Sequence, residues 1–346
     1  MGKKILLIRL SSLGDVIHTI PLANSLKSAG YEITWLVSEK GIQVLENNPC
    51  VDKVILAPVQ LWKKRGFSLE SFKEYLTILK QLRAEHFDIA IDVQMMLKSL
   101  YWMAFCGAKR KIISKQAREL SILGANEVIP RITTDFENPV IRNYMKYADY
   151  LGVDTKDVKV TLPERSLEIK SKIDELLKDV QKPIVAIAPA TTWSPKHWNE
   201  DNWKKVIDNI KDKCSIVFTG GPNDNELIER IGGNGFLNLA GKTNVLELAE
   251  VFSRADIVLA PDSGSAHLAW ATQKPAVVTI FTCTPLKYLA PIGDKNKYIA
   301  VTGSLSCQPC FKRKCKLKTE ACRSLPTADE IINIVNKLLS NSINVV

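Results

Sequence analysis

Apolar positions fall in short continuous blocks separated by longer stretches of helical periodicity. Residues 4–10 form the first block, interrupted only by Lys4 and Arg9, and 31–37, 53–57 and 88–93 have the same character. A block of that kind marks a strand buried on both faces. Helical patterns follow at 15–29, 68–84 and 94–106. Strand alternating with helix predicts parallel sheet with right-handed crossovers. The pattern then restarts, with strands expected at 183–189, 214–219, 236–240, 255–260 and 275–281. Helices are expected near 200–211, 223–231, 244–253 and 264–272. Between the two series, 152–182 holds a charged helix at 166–180 and reads as a linker. The chain is thus expected to be α/β, two doubly wound parallel-sheet domains facing across a cleft, with ligands outside the carboxyl ends of the strands. The expected domains are 1–160 and 161–325. A C-terminal helix is expected over 326–346. Thr327 to Glu330 fits a capping box, and Ile331, Val335 and Leu338 form an apolar stripe.

A length of 346 residues leaves room for two cores. Lysine plus arginine number 47 against 37 aspartate plus glutamate, and the resulting +10 favours an anionic partner: nucleic acid, a phosphorylated small molecule or an anionic lipid surface. The tryptophans are scattered rather than laid out as a stacking platform, so no nucleic-acid partner is expected. No apolar run approaches the roughly 20 residues that span a bilayer. The first ten residues imitate a signal peptide, but Arg9 interrupts them and Asp15 stands where a cleavage region should be uncharged. A cytoplasmic chain with eight reduced cysteines is expected.

Three strand ends concentrate chemistry. After 4–10 come Ser11, Ser12, Gly14 and Asp15, where hydroxyls and a carboxylate meet a helix start. Asp15 there could act as a general base; helix capping by Ser12 or Asp15 competes with that reading. The loop is neither a dinucleotide nor a P-loop fingerprint. Pro21, inside the following helix, is expected to kink it. After 255–260, Asp262 precedes Ser263, Gly264 and Ser265 at a helix start whose free N–H groups suit a phosphate. Asp262 could accept from ribose hydroxyls and His267 donate to phosphate, against a plain serine cap and a packed histidine. After 183–189, a loop carries Thr191, Thr192 and Lys196, the lysine suited to neutralising a departing diphosphate or else merely solvated.

Two further groups stand apart. Lys63, Lys64, Arg65, Lys98, Lys109, Arg110, Lys111 and Arg118 gather cations in the first half, for an acidic acceptor or as a solvated face. Cys307, Cys310, Cys315 and Cys322 have a spacing that could close a tetrahedral structural zinc site, with six nearby cations to offset four thiolates. Unliganded thiols are the competing reading. Cys50, Cys106, Cys214 and Cys283 read as small buried hydrophobes.

The stretches KILLIRLSSLGDVIHTIP (4–21) and APDSGSAHLA (260–269) resemble the bacterial ADP-heptose:lipopolysaccharide heptosyltransferases, glycosyltransferase family 9, over most of the chain. The run from Leu61 to Arg65, through 91–94, 97–99 and 117–119, is similar in order and spacing to the heptosyltransferase I branch. That resemblance implies the GT-B architecture of two Rossmann-like domains, acceptor mainly on the first and nucleotide sugar mainly on the second, with the C-terminal helix over 326–346 returning to the first domain. It implies inverting transfer of heptose from ADP-heptose to the Kdo of lipid A, with no metal or cofactor required, at the anionic inner face of the inner membrane.

Carried onto this sequence, the resemblance makes Asp15 the catalytic base. Ser11, Ser12, Gly14, Thr191, Thr192, Lys196, Thr243, Asp262, Ser263, Gly264 and His267 become donor-binding. Lys63, Lys64, Arg65, Lys98 and Arg118 become acceptor-binding. Met95 and Met96 stand where that branch typically has a Gly-Leu pair, and the acidic residue near 220–226 that meets the ribose is not singled out. A heptosyltransferase II-type acceptor, a nucleotide-sugar epimerase and a non-catalytic anionic-surface binder remain alternatives.

Overall fold

The computed structural model describes residues 2–66, 68–131 and 136–343. These divide into two units, residues 1–164 and 165–346.

The first unit holds a parallel sheet of β1 (Lys4–Ile8), β2 (Glu32–Val37), β3 (Lys53–Leu56), β4 (Ile89–Asp92), β5 (Arg110–Ser114) and β6 (Glu127–Ile129). Its helices are α1 (Leu13–Ser28), α2 (Val59–Arg65), α3 (Leu69–Ala84), α4 (Leu97–Phe105) and α5 (Val140–Tyr150). The strands lie in the order β3-β2-β1-β4-β5-β6. β1 sits between two parallel neighbours, Ile8 pairing Leu36 on one side and Asp92 on the other. Ile5, Leu6, Leu7 and Ile8 are wholly buried, as the unbroken apolar block requires. Each such side chain contributes about 1.5–3 kcal/mol relative to exposure.

The second unit opens with α6 (Leu167–Leu176), then β7 (Ile184–Ile187), α7 (Glu200–Ile210), β8 (Ser215–Phe218), α8 (Asn225–Arg230), β9 (Leu237–Asn238), α9 (Val245–Arg254), β10 (Ile257–Pro261), α10 (Gly264–Ala271), β11 (Ala276–Phe281), α11 (Leu286–Leu289), β12 (Tyr298–Thr302) and α12 (Ala328–Ile343). The order β12-β11-β10-β7-β8-β9 repeats the first unit's topology strand for strand. In both sheets the order reverses at one place: between β1 and β4, and between β7 and β10. Doubly wound sheets bind ligands at the carboxyl side of that reversal.

α12 carries the expected cap, with the Thr327 N–H and hydroxyl donating to Glu330 Oε2 at 2.7 and 2.8 Å. α12 packs within the second unit. Ala328, Ile331, Val335 and Leu339 join Trp203, Val206 and Ile210 of α7 in one core. α1 runs through Pro21 to Ser28.

Candidate active site

The first reversal point is built around Arg9, Asp15 and Asp92. Arg9, one residue beyond β1, is 4% exposed and reaches in three directions. Its Nη1 donates to the Val93 carbonyl at 2.5 Å and its Nη2 to the Tyr144 hydroxyl at 3.0 Å. The same Nη2 lies 2.5 Å from Asp15 Oδ1. Asp15 stands at the third position of α1, and its Oδ2 accepts from the Ser12 N–H and hydroxyl, each at 2.9 Å. The capping reading is therefore realised, and it coexists with chemistry. A carboxylate offers about four lone-pair sites, of which three are taken. The side chain remains 37% exposed. Burial works to raise the Asp15 carboxyl, but the Arg9 cation and the Ser12 donors outweigh it and hold it below the ordinary carboxylate range.

A second carboxylate lies beneath. Asp92, fully buried at the end of β4, accepts from the Gln94 and Met95 N–H groups at 2.8 and 2.9 Å and from the Ser99 hydroxyl at 2.7 Å. Burial pushes it up to about 6 against those donors. The turn it ties holds Met95 in the left-handed region at φ +53°. Gln94 Oε1 accepts from the Leu10 and Ser11 N–H groups at 3.0 and 3.1 Å, which locks the two strand-end loops together. Lys98, at the start of α4, donates to Ser11 Oγ at 2.6 Å. From α5 the Tyr147 hydroxyl donates to the Asp92 carbonyl at 3.0 Å.

Of the expected acceptor cations, the structure brings Lys98 to this loop. Lys63 and Lys64 stand exposed on the last turn of α2. Arg65 is drawn to Glu74 at 2.9 Å and Glu70 at 3.3 Å, and Arg118 is exposed. A cavity of about 670 Å³ beside the ends of β5 and β6 is lined by Lys115 and Arg131, two cations that sequence reasoning missed.

The second reversal point joins the loop after β7 to the loop after β10. Lys196 Nζ lies 2.6 Å from Asp262 Oδ2 and also donates to the Asp262 carbonyl at 3.2 Å. Thr284 donates to the same Oδ2 at 2.8 Å, and His267 Nε2 lies 3.2 Å from Oδ1. Asp262 is 2% exposed. Burial opposes its ionisation, yet Lys196 and His267 hold the carboxyl well below the usual range.

Asp262, its oxygens engaged by Lys196, Thr284 and His267, is the buried counterion of Lys196. His267 lies against Asp262 on the first turn of α10. Lys196 remains 15% exposed and lies over the Trp193 ring at 4.9 Å.

Ser263 caps α10, leaving the Gly264 end half-buried. Thr191 Oγ1 donates to the Trp193 carbonyl at 3.0 Å and Thr192 is exposed. Thr243, half-buried, lies one residue before the cap of α9.

The cysteine segment closes over the Lys196 loop. Phe311 and Arg313 lie against Trp193, and Arg323 donates to the His197 carbonyl at 3.1 Å. Trp198 Nε1 donates to the Pro326 carbonyl at 2.8 Å. Among the described residues no three histidine, cysteine or acidic side chains stand together as metal ligands. Cys322 is buried toward the Pro195 carbonyl while Cys307 is exposed. Cys322 is pushed up to about 11 by burial and by the neighbouring Cys310, Cys307 and Cys315. Cys50, Cys106 and Cys283 are buried as expected, Cys214 partly.

The sequence model of glycosyltransferase family 9 (heptosyltransferase) matches residues 75–320. The chain belongs to that family. Among curated relatives, the lipopolysaccharide core heptosyltransferase OpsX of Haemophilus influenzae is 28% identical over 310 residues, 86% of this chain and 84% of OpsX. Lipopolysaccharide heptosyltransferase 1 of Salmonella typhimurium is 26% identical over 282 residues, 79% and 87% of the two chains. Among solved structures, the Escherichia coli heptosyltransferase WaaC with ADP has a TM-score of 0.74 at 22% identity, covering 97% of this chain and 99% of that one. The two-unit GT-B fold is therefore shared with heptosyltransferases, and this family member is a glycosyltransferase.

Proposed function

We propose that this family 9 glycosyltransferase moves a heptose from ADP-heptose to the Kdo of the lipid A inner core, with inversion at the anomeric carbon. The observation that carries the reading is the pair of strand-order reversals. One presents a partly exposed carboxylate held ionised, Asp15, and the other a partly exposed cation beside a helix start, Lys196. A base and a leaving-group stabiliser are the two things that displacement of a diphosphate requires. The acceptor hydroxyl attacks the anomeric carbon, and its oxygen–carbon bond forms as the carbon–oxygen bond to diphosphate breaks. Asp15 takes the hydroxyl proton, and ADP leaves carrying the bond's electron pair. General-base assistance of this kind typically supplies 10²–10⁴-fold, as an order of magnitude.

Charge grows on the diphosphate as it departs. Lys196 and the N-terminal end of α10 provide fixed positive potential for it, and in this reading no divalent cation or cofactor is needed. Lys98 and the other first-unit cations meet the acceptor's acidic groups. The names of the curated relatives support a lipopolysaccharide core acceptor, and the ADP in the WaaC structure supports an ADP-linked donor. No helix among the described residues is long and apolar enough to cross a membrane, so a lipid acceptor is met peripherally, at the cytoplasmic face in this reading. The test is incubation of purified protein with ADP-heptose and Kdo-lipid A, followed by mass analysis. Heptosylated product is expected. Consumption of donor without acceptor, or no product, would overturn the reading.

A further inference from the structure

Large apolar side chains exposed on this protein are distributed very unevenly. Leu56, Leu61, Leu69, Phe72, Leu76, Leu97, Tyr101, Phe105, Leu120, Leu123, Val128, Phe136 and Tyr150 all belong to the first unit, and only Leu167 and Leu317 to the second, among the described residues. Scattered exposed hydrophobes are ordinary, but a concentration of them marks an interaction surface.

The spacing shows how they are organised. On α3 the exposed residues Leu69, Phe72 and Leu76 are three and four positions apart, so they share one side of the helix. Exposed Lys73, Lys80 and Arg83 fall on that same side by the 3.6-residue period. The opposite side, with Ser71, Tyr75, Ile78, Leu79 and Leu82, already faces the core. α3 is therefore apolar on both sides, whereas a surface helix needs one apolar stripe only. α4 repeats the pattern, with Leu97, Tyr101 and Phe105 outward and Trp102 and Met103 inward.

Rings beneath the surface join the helices into one layer. Trp62 of α2 stacks on Trp102 of α4 at 6.2 Å, and Tyr75 of α3 meets Trp102 at 4.6 Å. Leu120 and Leu123, 69% and 72% exposed, stand on a turn packed against α4.

Charge and position indicate what covers it. Exposed cations accompany these side chains: Lys73, Lys80 and Arg83 on the same side of α3, Lys63 and Lys64 on the last turn of α2, and Arg118 beside Leu120. Of the nearby acids, Glu70 and Glu74 are engaged by Arg65, and Glu119 accepts from the Leu97 N–H at 3.1 Å. Apolar side chains interspersed with cations are complementary to an anionic bilayer, whose headgroups meet the cations while leucines and aromatics enter the interface. The same helix that presents Leu97 and Tyr101 also delivers Lys98 to Ser11, next to Asp15. A lipid-anchored acceptor resting on this face would thus arrive beside the base.

We infer that the outward sides of α3 and α4, with Leu120 and Leu123, form the surface by which the protein rests on an anionic lipid bilayer. This inference deepens the proposed function and rests on its lipid acceptor. The test is flotation of the full chain with vesicles of phosphatidylethanolamine and phosphatidylglycerol, against vesicles of phosphatidylcholine alone. The parent floats with the anionic vesicles and not with the neutral ones. The variant Phe72→Asp/Leu76→Asp, and separately Tyr101→Asp, lose at least tenfold in partitioning with unchanged circular dichroism.

Equal flotation of parent and variants, or no flotation of the parent, would overturn the docking face. So would a lipid-free dimer, seen by gel filtration, that the same substitutions dissolve, since a second copy would then be the occupant. Transfer to a water-soluble Kdo acceptor is read separately. The variants should retain it, and its absence in the parent would count against the proposed reaction rather than against the surface.

Discussion

Arg9 Nη2 lies 2.5 Å from Asp15 Oδ1, and the guanidinium is buried while the carboxylate is partly exposed. The asymmetry gives Arg9 a positioning role. Its Val93 and Tyr144 partners fix the fork, so the fork fixes the carboxylate on the first turn of α1. Arg9 Nε is buried with no hydrogen-bond partner among the described residues, an arrangement that costs stability and is retained nonetheless.

Removing the cation should show in a pH profile. With Arg9 in place, the Asp15 carboxyl is depressed, so its contribution to stability is present above the unfolded carboxylate value of about 3.9 and is lost as pH falls through the folded value. In Arg9→Met, the weaker Ser12 donors are left to oppose burial, and the ionisation of Asp15 moves to higher pH. The acid limb of kcat/KM should shift upward, and Arg9→Lys should shift it less. A limb that stays in place with only thermal stability lost would make Arg9 purely structural.

Asp92 titrates in the opposite sense. Its folded value is raised to about 6, so the stability tied to its neutral form is full below about pH 4 and is lost as pH rises through about 6. Asp92→Asn, which keeps an acceptor for the Gln94 and Met95 N–H groups, should flatten the pH dependence of the melting temperature across that window. Asp92→Ala leaves those buried donors unpaired and should cost about 1–3 kcal/mol more than the asparagine variant.

Lys196 and Asp262 form a buried pair, and breaking such a pair from one side typically costs about 3–5 kcal/mol. Lys196→Met should lower the melting temperature and weaken ADP binding together. Adding Asp262→Asn to it should recover stability without recovering ADP affinity or turnover. Recovery of both would show that Lys196 serves folding rather than the diphosphate.

Met95 holds a left-handed backbone at φ +53°, where L side chains with a Cβ lose roughly 1–2 kcal/mol. The Asp92 bond to its N–H helps keep it there. Met95→Gly should be neutral within about 0.5 kcal/mol despite the lost side chain, because backbone strain is relieved. Met95→Val, β-branched, should lose about 2 kcal/mol. Chemical denaturation of the two variants checks this.

The apolar blocks made the central strands legible, since β1, β2, β4, β7, β10 and β11 are buried on both faces. β5, β6 and β12 were missed. β5 starts on Arg110 and Lys111, β6 has three residues, and β12 is only partly buried, so none reads as a continuous apolar run. α2 and α5 were missed as well. Asp15 and Lys196 were legible because reactive residue types stood directly after predicted strands. Their partners were not: Arg9 meets Tyr144 from 135 positions away, and Lys196 meets Asp262 from 66. Contacts of that separation come from strand order, which periodicity does not carry. The same distance effect hid the pairing of Asp262 with Lys196 from the sequence.

The central claim is that Asp15 removes the acceptor proton. The most direct measurement is heptose transfer by Asp15→Asn beside the parent, with ADP binding followed by calorimetry on the same preparations. The account predicts turnover lower by about 10²–10⁴-fold with ADP affinity within about twofold of the parent. Undiminished turnover, or ADP affinity falling in step with activity, would contradict it.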